Sequence, residues 1–245
     1  MDGQAVSRDL ISSAMKITAK RASGGMECAC ELPDARRPRG RPRCFDRAAA
    51  LETAMEVFWR KGLEATSLSD LTAAMGINPP SLYAAFGDKE RLFLEAVVHY
   101  EDTRFALCPY VEEPTARGAV ERLLRHVADE MTTPEHPGCL MVMTMAISGC
   151  SQELKDALAQ VRAEVRGRFR ARIERGLREG DVPAGTDAAA LTDFYGAVVS
   201  GMALLARSGA TRKSLRATAG QALQVFPEPP GGQARGRNQR KPQPA

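Results

Sequence analysis

Gly76-Ile77-Asn78-Pro79-Pro80 restricts this chain more than any other stretch of it. Two adjacent prolines cannot sit inside a helix, yet both fit its first turn, where the amides have no intrahelical partner to lose. Asn78 is a favoured N-cap, and with Pro80 unable to donate, its side chain is expected to accept from the amide of Ser81. The helix so begun ends at Gly87, and Asp88 caps the next. Upstream, Ser67 opens a short helix with Leu68, Leu71 and Met75 on one side, closed by Gly76. Before that, Leu51, Ala54, Met55 and Phe58 recur at helical spacing from about Asp46 to Lys61, where Gly62 stops the run. Two short helices joined by a tight Gly-Ile-Asn turn and braced by a longer one constitute a helix-turn-helix.

The remainder repeats the helical period. Leu92, Phe93, Ala96, Val97 and Tyr100 follow Asp88, and Pro109 and Pro114 bracket a linker. Val120, Leu123, Leu124, Val127 and Met131 mark one amphipathic helix, and residues 138–147 a short, almost wholly apolar one. Leu154, Leu158, Val161, Val165, Phe169, Ile173 and Leu177 trace a long helix ended by Gly180 and Pro183. Thr186 or Asp187 caps the next, with Leu191, Phe194, Tyr195, Val198, Met202 and Leu205, and a last helix runs from about Thr211 to Phe226 with Leu215, Ala219 and Leu223. Strand-like alternation of Val, Ile, Thr and Tyr is absent and aromatics are only 5%, so the expected class is all-α. Four segments are expected: a disordered extension at 1–38, a helix-turn-helix domain at 39–95, a second helical domain at 96–226 and a disordered basic tail at 227–245.

The net charge of +4 is mild, but its distribution is uneven. Arg36, Arg37, Arg39, Arg41 and Arg43 crowd one Pro- and Gly-containing segment, and Arg235, Arg237, Arg240 and Lys241 another. Cysteines at 28, 30, 44, 108, 139 and 150 lack the pairing of a disulfide framework or a zinc site, so reduced thiols are expected and no metal or cofactor. No apolar run reads as long enough to span a bilayer, and residues 1–35 lack the order of a signal peptide, which points to the cytoplasm and no membrane partner.

Gly62-Leu63-Glu64-Ala65-Thr66-Ser67-Leu68-Ser69-Asp70-Leu71, then Ala74-Met75-Gly76-Ile77-Asn78, Ser81-Leu82-Tyr83, Phe86-Gly87-Asp88-Lys89-Glu90 and Leu92-Phe93, resemble the DNA-binding domain of the TetR family. The likeness covers about residues 39–95; beyond residue 100, the helix pattern and Pro137-Gly138-Cys139-Leu140 are similar to AcrR-type members. The resemblance implies a protomer of about nine helices and a homodimer through the last two. It also implies a pocket for a small-molecule effector and a transcriptional regulator, a repressor released from operator DNA by that ligand. By position Tyr83 and Pro80 match recognition-helix contacts, Ser67 and Ser69 the start of the second helix, and Lys89 a phosphate contact, while Pro79 stands where the family often has a polar residue.

These residue types suit duplex DNA. Phosphate neutralisation supplies affinity, and base edges in the major groove supply sequence. Asn78, Ser81 and Tyr83 carry the polar atoms for reading, with Pro79 and Pro80 against thymine methyls. Arg41 and Arg43 belong to an arm that either enters the minor groove or remains a solvated basic tail. In the second domain Cys139, Met141, Met143, Met145, Phe169, Tyr195 and Met202 are candidate pocket residues, though Met at helical spacing also serves as plain core. Leu191, Phe194, Val198, Leu205, Leu215 and Leu223 are candidate interface residues. The alternatives are a thiol sensor built on Cys139 or Cys150 and a small all-α enzyme. His136 and Cys139 come near a nucleophile pair, but no orienting group or oxyanion donor accompanies them.

Overall fold

The computed structural model describes residues 45–105 and 110–227. The expected extension at 1–38, the arm with Arg41 and Arg43, Cys28, Cys30, Cys44, Cys108 and the tail beyond Pro227 lie outside the described residues. Among the described residues are nine α-helices and no strand. They are α1 Arg47–Ala65, α2 Leu68–Met75, α3 Pro79–Phe86, α4 Lys89–Tyr100, α5 Ala116–Glu130, α6 Leu140–Met143, α7 Gln152–Glu179, α8 Ala188–Arg207 and α9 Arg212–Gln224.

The helix boundaries follow from their caps. Asp46 accepts from the amides of Ala48 and Ala49 to start α1, and Gly62, at φ 80° and ψ 170°, breaks it before a last irregular turn. Ser67 and Asp70 form a reciprocal capping box on α2, which Gly76 closes in the left-handed region at φ 65°. Asn78 accepts from Ser81 N at 2.9 Å, as its position ahead of two prolines requires. The apolar segment at 138–147 is shorter as a helix than its composition suggests. Only α6 and a following 3-10 turn, Thr144–Ala146, are helical: Gly138 at φ 90° precedes the start, and Ile147, extended at ψ 125°, ends the run.

α1 to α3 and the first half of α4 form a small head whose core is Met55, Phe58, Leu71, Leu82, Phe86, Leu92 and Phe93. α5, α7, α8 and α9 form a body around Val120, Leu124, Val127, Leu158, Ile173, Met202 and Leu215. α4 belongs to both. At its far end a π-helical turn, Glu101–Phe105, carries the chain into the body. Tyr100 there packs edge-on against Trp59 of α1 at 4.8 Å.

α8 corrects one expectation: at 20 residues and mean hydropathy 1.5 it is long and apolar enough, by length and composition alone, to cross a membrane. Its Ala, Gly, Leu and Val run hides Asp193 and Tyr195, which tie it to the bundle. Asp193 accepts from Arg166 at 2.8 Å, and the Tyr195 hydroxyl donates to Ala222 O at 3.1 Å.

The edge-to-face pair of Phe58 and Phe93, at 5.0 Å, is the centre of the head. Phe58→Ala is expected to cost about 3–5 kcal/mol in urea unfolding, the usual range for a fully buried phenylalanine. A loss under about 1 kcal/mol would mean that α1 and α4 do not depend on this contact.

Candidate functional site

The head presents one face without covering it. Asn78, Pro79, Pro80, Tyr83, Ser67 and Ser69 are exposed and Ser81 is half-buried, so the start of α2 and the outer side of α3 look outward together. Tyr83 is 49% exposed although the other large side chains of α3, Leu82 and Phe86, are buried. Asn78 spends its carbonyl oxygen on Ser81 N, which leaves its amide hydrogens free to donate. Ser67 is less free than its sequence position suggests. Its hydroxyl caps Asp70 N, touches Asp70 Oδ2 at 2.8 Å and lies 2.8 Å from Ser69 Oγ.

Lys89 has a structural role within the head. Its ammonium donates to Leu63 O at 3.1 Å and Thr66 O at 3.0 Å, closing the carbonyl end of α1, so one N–H remains for any phosphate. Arg47, which no sequence motif singled out, does the same for α3. Its guanidinium donates to Ala85 O at 3.2 and 3.3 Å, pairs with Glu95 at 2.6 Å and lies 4.4 Å over the Phe86 ring. Two carboxylates of the head then grip the loop before α7. Glu64 accepts from Ser148 N and Gly149 N at 3.1 and 2.9 Å, and Glu90 accepts from Ser151 N at 3.0 Å and from its hydroxyl. Those amide bonds hold the Glu64 carboxyl below its ordinary value.

The body contains a cavity of about 780 Å³, within the range of small-molecule sites. Of the sequence candidates, Cys139, Met141, Met145, Phe169 and Tyr195 line it. Met143 and Met202 do not. Met143 turns away to accept from Arg207 at 3.0 Å, and Met202 is fully buried in the core. Tyr195 contributes its ring alone, since its hydroxyl is engaged with Ala222 O; burial pushes it up to about 12. Periodicity missed Glu101, Phe105, Tyr110, Arg162, Arg166, Arg168 and Thr192, which also line the cavity. Glu101 left a signal: it stands four residues after Val97, where the inward stripe of α4 calls for an apolar side chain.

Neither thiol is poised as a nucleophile. Cys139 is buried, accepts from Tyr100 OH at 3.4 Å and is pushed by burial up to about 11; burial also raises Cys150. His136 does not complete a pair with Cys139, because its ring is stacked on Trp59 at 4.9 Å and burial lowers its pKa.

The candidate interface residues divide. Phe194 and Leu205 are 41% and 47% exposed, and Leu204, not foreseen, is 61% exposed. Leu191, Val198 and Leu223 are partly buried against the protomer's own core. Leu215 is fully buried within the protomer and offers nothing to a partner, because the inward stripe of α9, Leu215, Ala219 and Ala222, packs on its own body. An added Cβ on Gly201 or Gly220 would meet nothing within 4 Å.

A helix-turn-helix head with an uncovered second helix, mounted through a shared α4 on a helical body that carries a cavity open to solvent beside Met145, is the architecture of a DNA-binding transcriptional regulator. Comparison with known proteins agrees. The chain belongs to the TetR family: the profile of bacterial regulatory proteins, tetR family, matches residues 50–96, and that of the tetracyclin repressor-like C-terminal domain matches residues 112–222. It is 34% identical over 199 residues to the HTH-type transcriptional repressor ComR of Escherichia coli (strain K12), covering 79% of this chain and 94% of that protein. It is 31% identical over 187 residues to the HTH-type transcriptional repressor BdcR of the same organism, covering 75% and 90%. Among solved structures, a cysteine mutant of the TetR family transcriptional regulator CifR complexed with 26 bp double-strand operator DNA is 43% identical, with a TM-score of 0.71, over 77% of this chain and 100% of that one.

Burial raises Glu101 to about 7, with Asp102 adding to the effect and Arg168 opposing it. Between pH 4.5 and 7 the unfolded chain releases this proton while the folded chain holds it, so stability falls as pH rises through that window. Glu101→Gln, which cannot ionise, is expected to gain in thermal midpoint over the parent between pH 5 and 8, by roughly 5 °C. A difference that stays constant across the same range would show that Glu101 is ionised normally.

Proposed function

We propose that the protein is a cytoplasmic, homodimeric repressor whose α3 reads the major groove of an operator and which a small-molecule effector releases. The observation that carries this is the outward-facing start of α3, where Asn78, Pro79, Pro80 and Tyr83 are exposed with Ser81 half-buried among them. Asn78 amide hydrogens and the Ser81 and Tyr83 hydroxyls are short polar groups. They read few bases directly and leave a larger share of specificity to DNA shape. The α2 amino end, with Ser67 and Ser69, and the remaining N–H of Lys89 hold phosphates; Arg41 and Arg43 precede α1 and add attraction to the backbone. The named repressor relatives and the operator complex of CifR support this reading.

The dimer forms on α8, where Phe194, Leu204 and Leu205 are exposed around Gly201, which lets a second backbone approach. Two recognition helices must lie about 34–36 Å apart to meet successive turns of the same groove face. Effector binding in the cavity shifts α4, which begins under the head at Lys89 and continues into the cavity wall at Glu101 and Phe105. This coupling is reciprocal, so operator DNA weakens effector binding by the same factor. The buried, raised thiol of Cys139 favours a bound molecule over oxidation as the signal.

On a duplex selected from random sequence, Ser81→Ala with Tyr83→Ala is expected to weaken binding at least tenfold while fold and dimer persist; unchanged affinity would remove α3 from the interface. Leu204→Glu with Leu205→Glu is expected to sediment as a monomer and to lose the selected duplex. A dimer that survives both charges would place the interface elsewhere.

A further inference from the structure

The cavity holds one polar group whose needs the protein does not meet. Glu101 is 6% exposed and its Oε2 has no hydrogen-bond partner. The nearest cation, Arg168 Nη2, stands 3.6 Å away, beyond hydrogen-bond distance. The contact is an ion pair without a hydrogen bond, and a buried carboxyl oxygen that accepts none is costly, so native proteins keep few of them. Several other polar groups of the wall have partners within the protein, while Arg168 beside Glu101 makes only this 3.6 Å contact among the described residues. Tyr195 donates to Ala222 O and Thr192 to Ala188 O; Arg162 donates to Thr144 Oγ1 and Arg166 to Asp193. Cys139 accepts from Tyr100 OH. Glu101 lies on the inward stripe that Phe93 and Val97 begin, and its side chain is buried there. Around it the wall is apolar: Phe105, Leu123, Met141, Val142, Val165 and Phe169.

We propose that the α4 end of the cavity is a hydrogen-bond-acceptor subsite in which Glu101 receives an O–H or N–H from the effector, so that the effector is an amphipathic alcohol or amine. A ligand that ends in a carboxylate brings a second acceptor to an ionised Glu101 and is disfavoured at this end of the cavity, and a plain hydrocarbon leaves Glu101 without a hydrogen bond. This rests on the reading of the cavity as the effector site and assigns the chemistry of the molecule that fills it. At pH 8 the side chain is ionised, its proton released at about 7, and it accepts only.

The test uses the purified full-length chain at pH 8 and four probes of one skeleton: 1-naphthalenemethanol, 1-naphthylmethylamine, 1-methylnaphthalene and 1-naphthoate. Binding is followed by naphthalene fluorescence. The alcohol and the amine are expected to bind at least tenfold more tightly than the hydrocarbon and the naphthoate. In Glu101→Leu that preference is expected to vanish while the hydrocarbon still binds. Glu101→Gln, which keeps an acceptor oxygen but not the charge, is expected to retain the alcohol better than the amine. Hydrocarbon bound as tightly as alcohol, naphthoate bound most tightly, or a preference that persists in Glu101→Leu each overturns the subsite and leaves the cavity reading standing. If none of the four binds to the folded protein, the cavity reading fails and takes the subsite with it.

Discussion

Short helices are mostly ends, and α2 and α3 have eight residues each. Four amides at one end and four carbonyls at the other lack intrahelical partners, so a helix this short survives only when neighbours supply what it cannot. Here the amide ends take their own side chains, Ser67 with Asp70 and Asn78. The carbonyl ends of α3 and α1 take cations from elsewhere in the head: Arg47 holds Ala85 O, and Lys89 holds Leu63 O and Thr66 O. Each cation sits at the negative pole of a helix and binds it to α1 or α4. Arg47 therefore ties the carbonyl end of α3 to α1, and Lys89 ties the end of α1 to α4.

The same constraint links head to body. α4 starts with Lys89 against α1 and ends at a π-helical turn whose first and last residues, Glu101 and Phe105, line the cavity. Glu64 and Glu90 add a second tie through the loop that caps α7. A molecule in the cavity can alter the head only by binding one arrangement of this frame better than another. A donor placed against Glu101 would be a direct way to do so, since that buried carboxyl oxygen has no hydrogen-bond partner.

Much of the head was legible because its caps are chemical statements. Asp46, Ser67, Asn78 and Asp88 stand where orphan amides need an acceptor, and Gly62, Gly76 and Gly87 where φ turns positive. The body was legible as helices but less so as a site. Helical period places a residue on a face without saying which neighbour covers that face, so Leu215 and Met202 read like interface and pocket yet close the core. Long cations were least legible: nothing near Lys89 in sequence shows that it caps carbonyls more than twenty residues earlier in the chain. Arg47 went unnoticed for the same reason, its partner Ala85 lying on α3.

The central claim is that α3 enters the major groove twice per dimer. Methylation interference on a selected duplex measures this directly, since guanine N7 lies in the major groove and adenine N3 in the minor. The account expects interference at N7 in two patches about one helical turn apart, or a multiple of it, and lost when Tyr83 and Ser81 are both replaced by alanine. Interference confined to adenine N3, or a single N7 patch bound by one dimer, would contradict it.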